Sequence, residues 1–492
     1  MSYIIKGNVK DWEAVIGLEV HCQIISKSKL FSSSSAEFGA DPNQHVSFFD
    51  AGMPGMLPVV NIECIRQAVK TGYGLNATVN KRSVFDRKNY FYADLPTGYQ
   101  ITQNFYPIVQ NGYLDILDDQ ENKKRIRINR LHVEQDAGKS IHDLHPSKTY
   151  IDLNRAGVGL MEIVSEPDMS SPTEVMNYLR KLRQIVRYLG TCDGNMDEGS
   201  MRCDVNVSVR PVGQKEFGIR SEVKNVNSVK FAGLAVEFEI KRQIELLENG
   251  EGIIQETRLF NPNTGETRSM RTKENANDYR YFPDPDLLPI ILDDDFLNSV
   301  KDEMPELPDS KIERLINEYS IMPYDATVIT EEKEIAEYFE NAVNASRHKN
   351  GKSICNLMMT ELFAWLNKNK LSISESFITS KQIADISDLL IDNVISGKIA
   401  KDLFKLFFED ENVRNKNITD LVKEKGLTQV SDTSSINTVI NEIVNNNKDN
   451  WNELKNGKDK LIGWFVGQVM RKMEGKGNPS IITECLNKKL KE

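Results

Sequence analysis

Cysteine and histidine are scarce in this chain, with six of each among 492 residues. Cys22, Cys64, Cys192, Cys203, Cys355 and Cys485 contain no C-x-x-C pair, which argues against a structural zinc site and against a disulfide framework. Reduced, mostly buried thiols are expected. The histidines do not cluster at metal-ligand spacing either. No apolar run approaches the ~20 residues of a membrane span. The start, MSYIIKGNVKDWEAVIG, lacks a charged-then-apolar leader pattern, so no membrane association and a cytoplasmic location are expected. A G-x-x-x-x-G-K-[ST] loop and a kinase-type glycine set are both missing, which excludes a P-loop NTPase and a protein kinase. Positive charge is short as well. The net charge is −10, so the overall field does not draw nucleic acid, and any RNA contact must be local.

Hydrophobic residues make up 39% and charged residues 27%, which suits a water-soluble globular protein of two to three domains. In AVIGLEVHCQI (14–24), Ile16, Leu18, Val20, Cys22 and Ile24 alternate with Gly17, Glu19, His21 and Gln23. That period of two predicts a strand with one buried face. Residues 1–294 read as one body of alternating strands with intervening helices over 173–190 and 233–250, the second stopped by Gly250. Few βαβ units are visible, so the body is expected to be α+β, a mostly antiparallel sheet with flanking helices. Residues 295–410 turn helical in pattern, with Asp309 and Ser310 placed to cap the helix SKIERLINEY. After the polar stretch EDENVRNKN, residues 411–492 read as a small helical tail.

Acidic residues recur on the polar faces of the predicted strands. Glu19 lies in the first, Glu134 in RLHVEQDAGKS and Glu162 in LMEIVSEPD. MRCDVNVSVRP alternates Cys203, Val205, Val207 and Val209 with Arg202, Asp204, Asn206, Ser208 and Arg210, and IRSEVKNVNSV puts Arg220, Glu222 and Lys224 on one face. If these strands share a sheet, their carboxylates converge and repel. A cation relieves the conflict, and oxygen donors with few imidazoles suit Mg²⁺. Interleaved Arg and Lys suit phosphate oxygens. The set therefore points to ATP-dependent phosphoryl transfer onto an oxygen nucleophile; the plain alternative is that each strand wears charges on a wet face. The stretch FDRKNYFYADLPTGYQITQ (85–103), with Lys88 and Tyr90, is either core or a polar pocket wall. In NANDYRYFPDPDLLP (275–289), Arg280 is either a phosphate ligand or an ion-pair partner.

Taken together, VIGLEVH, FDRKNYFY, LPTGYQITQ, RLHVEQDAGKS, DLNRAGVGLMEIVSEPD, EGSMRCDVNVSVRP, SEVKNVNS, ETRLFNPNTGETRSMR, DYRYFPDPDLLP and GWFVGQVMRKMEGKGNP resemble the GatB family, one component of the GatCAB aspartyl/glutamyl-tRNA(Asn/Gln) amidotransferases, in order along nearly the whole chain. The resemblance implies a glutamine-synthetase-like antiparallel cradle, a helical domain and a YqeY-like tail that grips tRNA. It also implies ATP- and Mg²⁺-dependent phosphorylation of the side-chain carboxylate of Glu-tRNA(Gln) and/or Asp-tRNA(Asn). Amidation by ammonia from the amidase component follows, in a heterotrimer completed by a third, small component.

Carried over residue by residue, the family's site falls on Glu19, His21, Glu134, Glu162 and Asp204, and its ammonia route on Lys88 and Tyr90. Glu19, Glu162 and Asp204 are then expected to hold the metal, with His21 and Glu134 positioning or deprotonating the amine. Arg202, Glu222, Lys224 and Arg280 are expected on the nucleotide. One departure is Gln135, where many members carry a second Glu; an uncharged amide puts a metal or proton-relay role there in doubt. Some members hold zinc through cysteines early in the cradle; residues 31–52 have none, so no zinc is expected.

Residues 451–492 carry nine Lys/Arg against five Asp/Glu, a net of +4, and Gly463, Gly467, Gly475 and Gly477 leave room for an RNA backbone. Two competing readings are a free-standing carboxylate–amine ligase acting on a small molecule and a non-catalytic tRNA-docking subunit. The basic helical tail argues against the first, and the interleaved acids and bases against the second.

Overall fold

Alternation in the first long strand organises the larger part of the molecule. In this computed structural model, which describes residues 3–272, 279–430 and 432–491, Ile16, Leu18, Val20 and Cys22 of β2 (Asp11–Gln23) are fully buried while Glu19, His21 and Gln23 face the other way. Burying each of the larger aliphatic side chains contributes about 1.5–3 kcal/mol. Residues 275–278, the start of the stretch read as extended, lie outside the described residues.

The other strands of the large sheet are β1 (Ile4–Lys6), β3 (Thr78–Val79), β6 (Val109–Leu117), β7 (Lys123–Gln135), β10 (Gly159–Ser165), β11 (Met201–Pro211), β12 (Ser221–Val226), β13 (Glu256–Asn261) and β14 (Glu266–Thr272). Their order is β14–β13–β12–β11–β2–β10–β7–β6–β3, with β1 on the start of β2. Every pairing is antiparallel except β12 with β13. A second, smaller sheet joins β4 (Arg82–Asn89) to β5 (Tyr99–Tyr106), β15 (Phe282–Pro283) and β16 (Ile290–Ile291). Between β7 and β10 lies the short hairpin of β8 (Lys139–Ile141) and β9 (Tyr150–Asp152).

Three helices cover the apolar face of the large sheet: α1 (Ile62–Gly74), α2 (Pro172–Leu189) and α3 (Val229–Glu248). Ser171 caps α2 by accepting from the Glu174 N–H, Pro172 pre-sets the first turn, and Gly190 at φ +70° ends it. Val175, Leu179, Leu182, Val186 and Leu189 form its buried stripe. α3 starts on the Ser228 cap and stops as expected at Asn249 and Gly250, the latter at φ +82°.

The first compact unit runs Met1–Pro308 and the second Asp309–Glu492. The break falls later than residue 294 because α4 (Asp294–Asp302) packs on α1 and buries Leu297 and Val300 in the sheet's core. The helix expected to start at Ser310 includes Pro308, as α5 (Pro308–Tyr319). Asp309 therefore sits in its first turn, where a carboxylate favours the dipole, rather than at the cap. The described remainder of the second unit is helical. Within it, residues 433–491 gather a small core around Ile436, Ile440, Trp451, Phe465, Val469, Ile482 and Leu486.

The long connection from β2 to α1 is held by a buried ion pair. The Lys29 ammonium donates to Asp50 Oδ2 (3.1 Å), His45 O (2.6 Å) and Leu153 O (3.3 Å), and burial pulls its pKa down against the pull of Asp50. Asp50 also accepts from the Ser47 N–H (2.9 Å). Gly157, at φ +85°, packs so closely that a Cβ would meet Asp50 Oδ1 at 2.4 Å. Its N–H donates to Asp136 O and its carbonyl accepts from the Leu30 N–H, so this loop is tied to the end of β7. Removing one member of a buried pair strands the other charge. Lys29→Met is expected to destabilise the first unit by about 3–5 kcal/mol in urea unfolding, with Lys29→Met/Asp50→Leu recovering most of the loss.

Candidate active site

Cross-strand register, more than any single strand, assembles the polar face of the large sheet. Glu162 on β10 lies directly opposite His21 on β2 and His132 on β7. On the other side of β2, Arg202 of β11 lies opposite His21, and Asp204 opposite Glu19. A ladder His132–Glu162–His21–Arg202 thus crosses four strands.

Its centre is tight. His21 Nε2 is 3.3 Å from Glu162 Oε2 and 3.8 Å from Glu134 Oε1. His132 Nε2 is 3.3 Å from Glu134 Oε2 and 3.4 Å from Glu162 Oε2. Thr102 Oγ1 donates to Glu134 Oε2 (3.1 Å). Burial alone lowers both imidazole pKa values, but Glu162 and Glu134 more than reverse this, taking His132 up to about 9 and raising His21. Burial conversely raises Glu162, and His132 and His21 hold it well below the ordinary carboxylate value.

Beside this centre stand the remaining acids. Glu19 Oε1 accepts from Asn206 Nδ2 (3.0 Å), and its pKa is raised by burial and by the charges of Glu162, Glu222 and Asp204. Asp204 is ion-paired with Lys224, which also reaches Glu222 Oε1 (2.9 Å). Glu222 Oε2 accepts from Thr257 Oγ1 (2.8 Å). Arg202 donates to Asp136 Oδ2 (2.8 Å), which also accepts from Gln23 Nε2 (3.0 Å). Burial raises the Asp136 pKa, but Arg202 and Arg155 bring it below the ordinary value.

The small sheet lies against this face because β5 is pinned to β7. Gln100 Nε2 donates to Gln135 O (2.8 Å), Gln103 Oε1 accepts from the Val133 N–H (3.0 Å), and Thr102 holds Glu134. β4 then brings in Lys88, whose ammonium sits 4.9 Å from the Tyr279 ring centre and 5.7 Å from that of Tyr90. Burial lowers the Lys88 pKa, and Glu134, Tyr281 and Glu162 raise it to a net increase. Burial, and then Glu134 and Asp136, push the Tyr90 phenol up. Tyr279 and Tyr281 are held in place by Arg87, which pairs with Asp284 (2.7 Å) and Asp286 (2.8 Å), and by Asn89, whose backbone and side-chain N–H groups bond Tyr279 O.

Glu19, His21, Lys88, Tyr90, Glu134, Glu162, Arg202, Asp204, Glu222 and Lys224 are therefore neighbours. Arg280 is exposed, at φ +44°, and its carbonyl accepts from Asn89 Nδ2. Gln135 faces the opposite side of β7 from Glu134 and donates to Tyr99 O (3.3 Å). His132 and Asp136 were not singled out by the strand-by-strand reading, although both share the period of Glu134. Thr102, Tyr279 and Tyr281 carry no comparable signal, since chain-distant contacts alone bring them to the site.

Among the described residues, His21, Glu134 and Glu162 form the one group of three potential ligands whose donor atoms all lie within 4.8 Å of one another. The geometry groups Glu162 with His21 and Glu134 at least as closely as with Glu19 and Asp204.

An antiparallel cradle with an acid–imidazole cluster on its polar face, followed by an all-helical unit, is the build of an α+β enzyme subunit. Two family models match: the GatB/GatE catalytic domain over residues 14–298 and the GatB domain over residues 337–490. The chain is 55% identical over 490 residues to a Rickettsia rickettsii (strain Sheila Smith) protein named as the B-type subunit of an aspartyl/glutamyl-tRNA(Asn/Gln) amidotransferase, covering 100% of both chains. Proteins of the same name from Rickettsia africae (strain ESF-5) and Rickettsia typhi (strain ATCC VR-144 / Wilmington) are 56% and 54% identical over the same span and coverage. The chain belongs to the GatB family.

The two imidazoles allow a direct check of the site's electrostatics. In metal-free protein, the His132 ring is expected to titrate near pH 9 by NMR. In Glu162→Gln its midpoint falls toward or below the ordinary ~6.5, because burial then acts with one carboxylate fewer against it. An unmoved midpoint would remove Glu162 as its partner.

Proposed function

We propose that this chain is the phosphorylating and amidating component of a tRNA-dependent amidotransferase, working in the cytoplasm within a GatCAB-type heterotrimer, with an amidase partner and a small third partner. It uses ATP to phosphorylate the side-chain carboxylate of Glu-tRNA(Gln), Asp-tRNA(Asn) or both, and ammonia then replaces the phosphate. The observation that carries this reading is the interleaved set Glu19, His21, Glu134, Glu162 and Asp204 on one sheet face, in a chain aligned end to end with GatB relatives. Neither a free-standing ligase nor a passive docking subunit accounts for both features.

A carboxylate is a poor electrophile for ammonia. Moving the γ-phosphoryl of ATP onto a side-chain oxygen releases ADP and installs a good leaving group. Ammonia attacks the acyl carbon, the bond to the phosphate oxygen breaks, phosphate departs, and one N–H proton is lost. The donor set fits Mg²⁺: it consists of oxygens with one or two imidazoles, and the raised Glu19 pKa records negative charge that Lys224 leaves unbalanced. When bound, Mg²⁺ neutralises phosphoryl oxygens during the transfer.

In this reading Glu19, Glu162 and Asp204 hold the metal-bound nucleotide, bordered by Arg202, Glu222 and Lys224. His21 and Glu134 orient the ammonia and take its proton. Lys88 and Tyr90, with Tyr279 and Tyr281, wall the approach and keep out water that would hydrolyse the acyl phosphate. Arg280 stands outside this set.

The tail is proposed to grip tRNA. Gly463 and Gly467, four apart on the helix Leu461–Lys472, are exposed with open space where a Cβ would stand. Gly475 and Gly477 are instead packed against Lys398 and against Ile482 and Met473, so their smallness serves the fold. No described helix is long and apolar enough to cross a membrane.

The assembled heterotrimer is expected to hydrolyse ATP only with both Mg²⁺ and misacylated tRNA present, and Glu19→Gln to lower amidation by about 100-fold. Mg²⁺-dependent hydrolysis driven by free glutamate and indifferent to tRNA would overturn the assignment. Deleting residues 411–492 is expected to weaken tRNA binding and flatten its salt dependence. The cradle survives the deletion, because its apolar core takes its residues from Ile5 to Leu307. Filter binding across a salt series, with circular dichroism, checks both.

A further inference from the structure

His132 has no part in the scheme above, yet it touches both glutamates at the centre of the site. Its side chain is 6% exposed, and its Nε2 lies 3.3 Å from Glu134 Oε2 and 3.4 Å from Glu162 Oε2. Nδ1 is buried without a hydrogen-bond partner. A buried ring nitrogen left unpaired costs about 1–3 kcal/mol. An apolar side chain would spare the fold that cost, so what the imidazole contributes must lie in its Nε2 contacts.

We infer that His132 is a positioning residue that clamps Glu134 and Glu162 side by side from adjacent strands and thereby sets the site's affinity for a divalent cation. The inference rests on reading this cluster as a cation site.

The argument is one of orientation. His132 and Thr102 both engage Oε2 of Glu134, which turns Oε1 toward His21, 3.8 Å away. The same imidazole and His21 share Oε2 of Glu162. With each carboxylate fixed through one oxygen, the pair presents a pre-formed geometry and does not splay apart by mutual repulsion. β7 sets the spacing, because residues 132 and 134 share one face, and the β7–β10 register sets the bridge, because His132 is directly opposite Glu162.

The test is Mn²⁺ binding to the assembled heterotrimer without ATP or tRNA, read by electron paramagnetic resonance. His132→Phe is expected to weaken Mn²⁺ binding about 10- to 100-fold. His132→Gln, whose amide N–H can take the place of Nε2–H, is expected to restore it to within about threefold of the native protein. His132→Asn, equally polar but too short, should behave like His132→Phe, and it keeps the test decisive if His132→Phe does not fold. Unchanged or tighter Mn²⁺ binding in His132→Asn or His132→Phe overturns the inference, as does a His132→Gln protein as defective as His132→Asn. Glu162→Gln separates the two levels. If it binds Mn²⁺ as well as the native protein, the cation-site reading itself falls. If it binds poorly while the His132 variants bind normally, only the role of His132 falls.

Discussion

The carboxylates on one sheet face can stand together only because donors and cations are interleaved with them. Two imidazoles flank Glu162, Arg202 holds Asp136, and Lys224 lies between Asp204 and Glu222. Glu19 is the exception. It has an amide from Asn206, and the surrounding acids raise its pKa. Negative charge is therefore balanced nearly everywhere on the face and left in excess at one place. That excess gives the site its preference for a cation and, through the cation, for phosphate oxygens.

Most of the remaining architecture keeps that arrangement in register. The helices α1, α2 and α3 bury the opposite face of the large sheet, so β2, β7, β10 and β11 cannot slip without turning their apolar residues toward water. The small sheet is attached by side chains rather than by a shared ladder: Gln100, Thr102 and Gln103 of β5 each bond to β7. One of these bonds ends on a site carboxylate, so the element that brings Lys88 also orients Glu134. Arg87, stacked 4.1 Å from the Tyr99 ring centre and paired with Asp284 and Asp286, fixes the chain that supplies Tyr279 and Tyr281.

The second unit follows a different logic. Its tail has a small apolar core of its own and a basic balance against the acidic whole. The four glycines of the tail, alike in sequence, divide into two that leave helix surface bare and two that make room for neighbouring side chains. Only the first pair bears on a nucleic-acid partner.

Periodicity alone made much of the site legible. A period of two says which residues of a strand share a face, so Glu19 with His21, and Arg202 with Asp204, were readable before any fold was known, as were the stops at Gly190 and Gly250. The same rule reaches His132 and Asp136 once Glu134 is marked. The long-range pairings were not readable, because register is a relation between strands more than a hundred residues apart along the chain. That relation put Glu162 between two histidines and drew it toward Glu134, tied Arg202 to Asp136, and turned Gln135 away from the acids toward Tyr99. Local sequence records the side chain and its face; the packing of distant strands selects its partner, and the partner sets its charge.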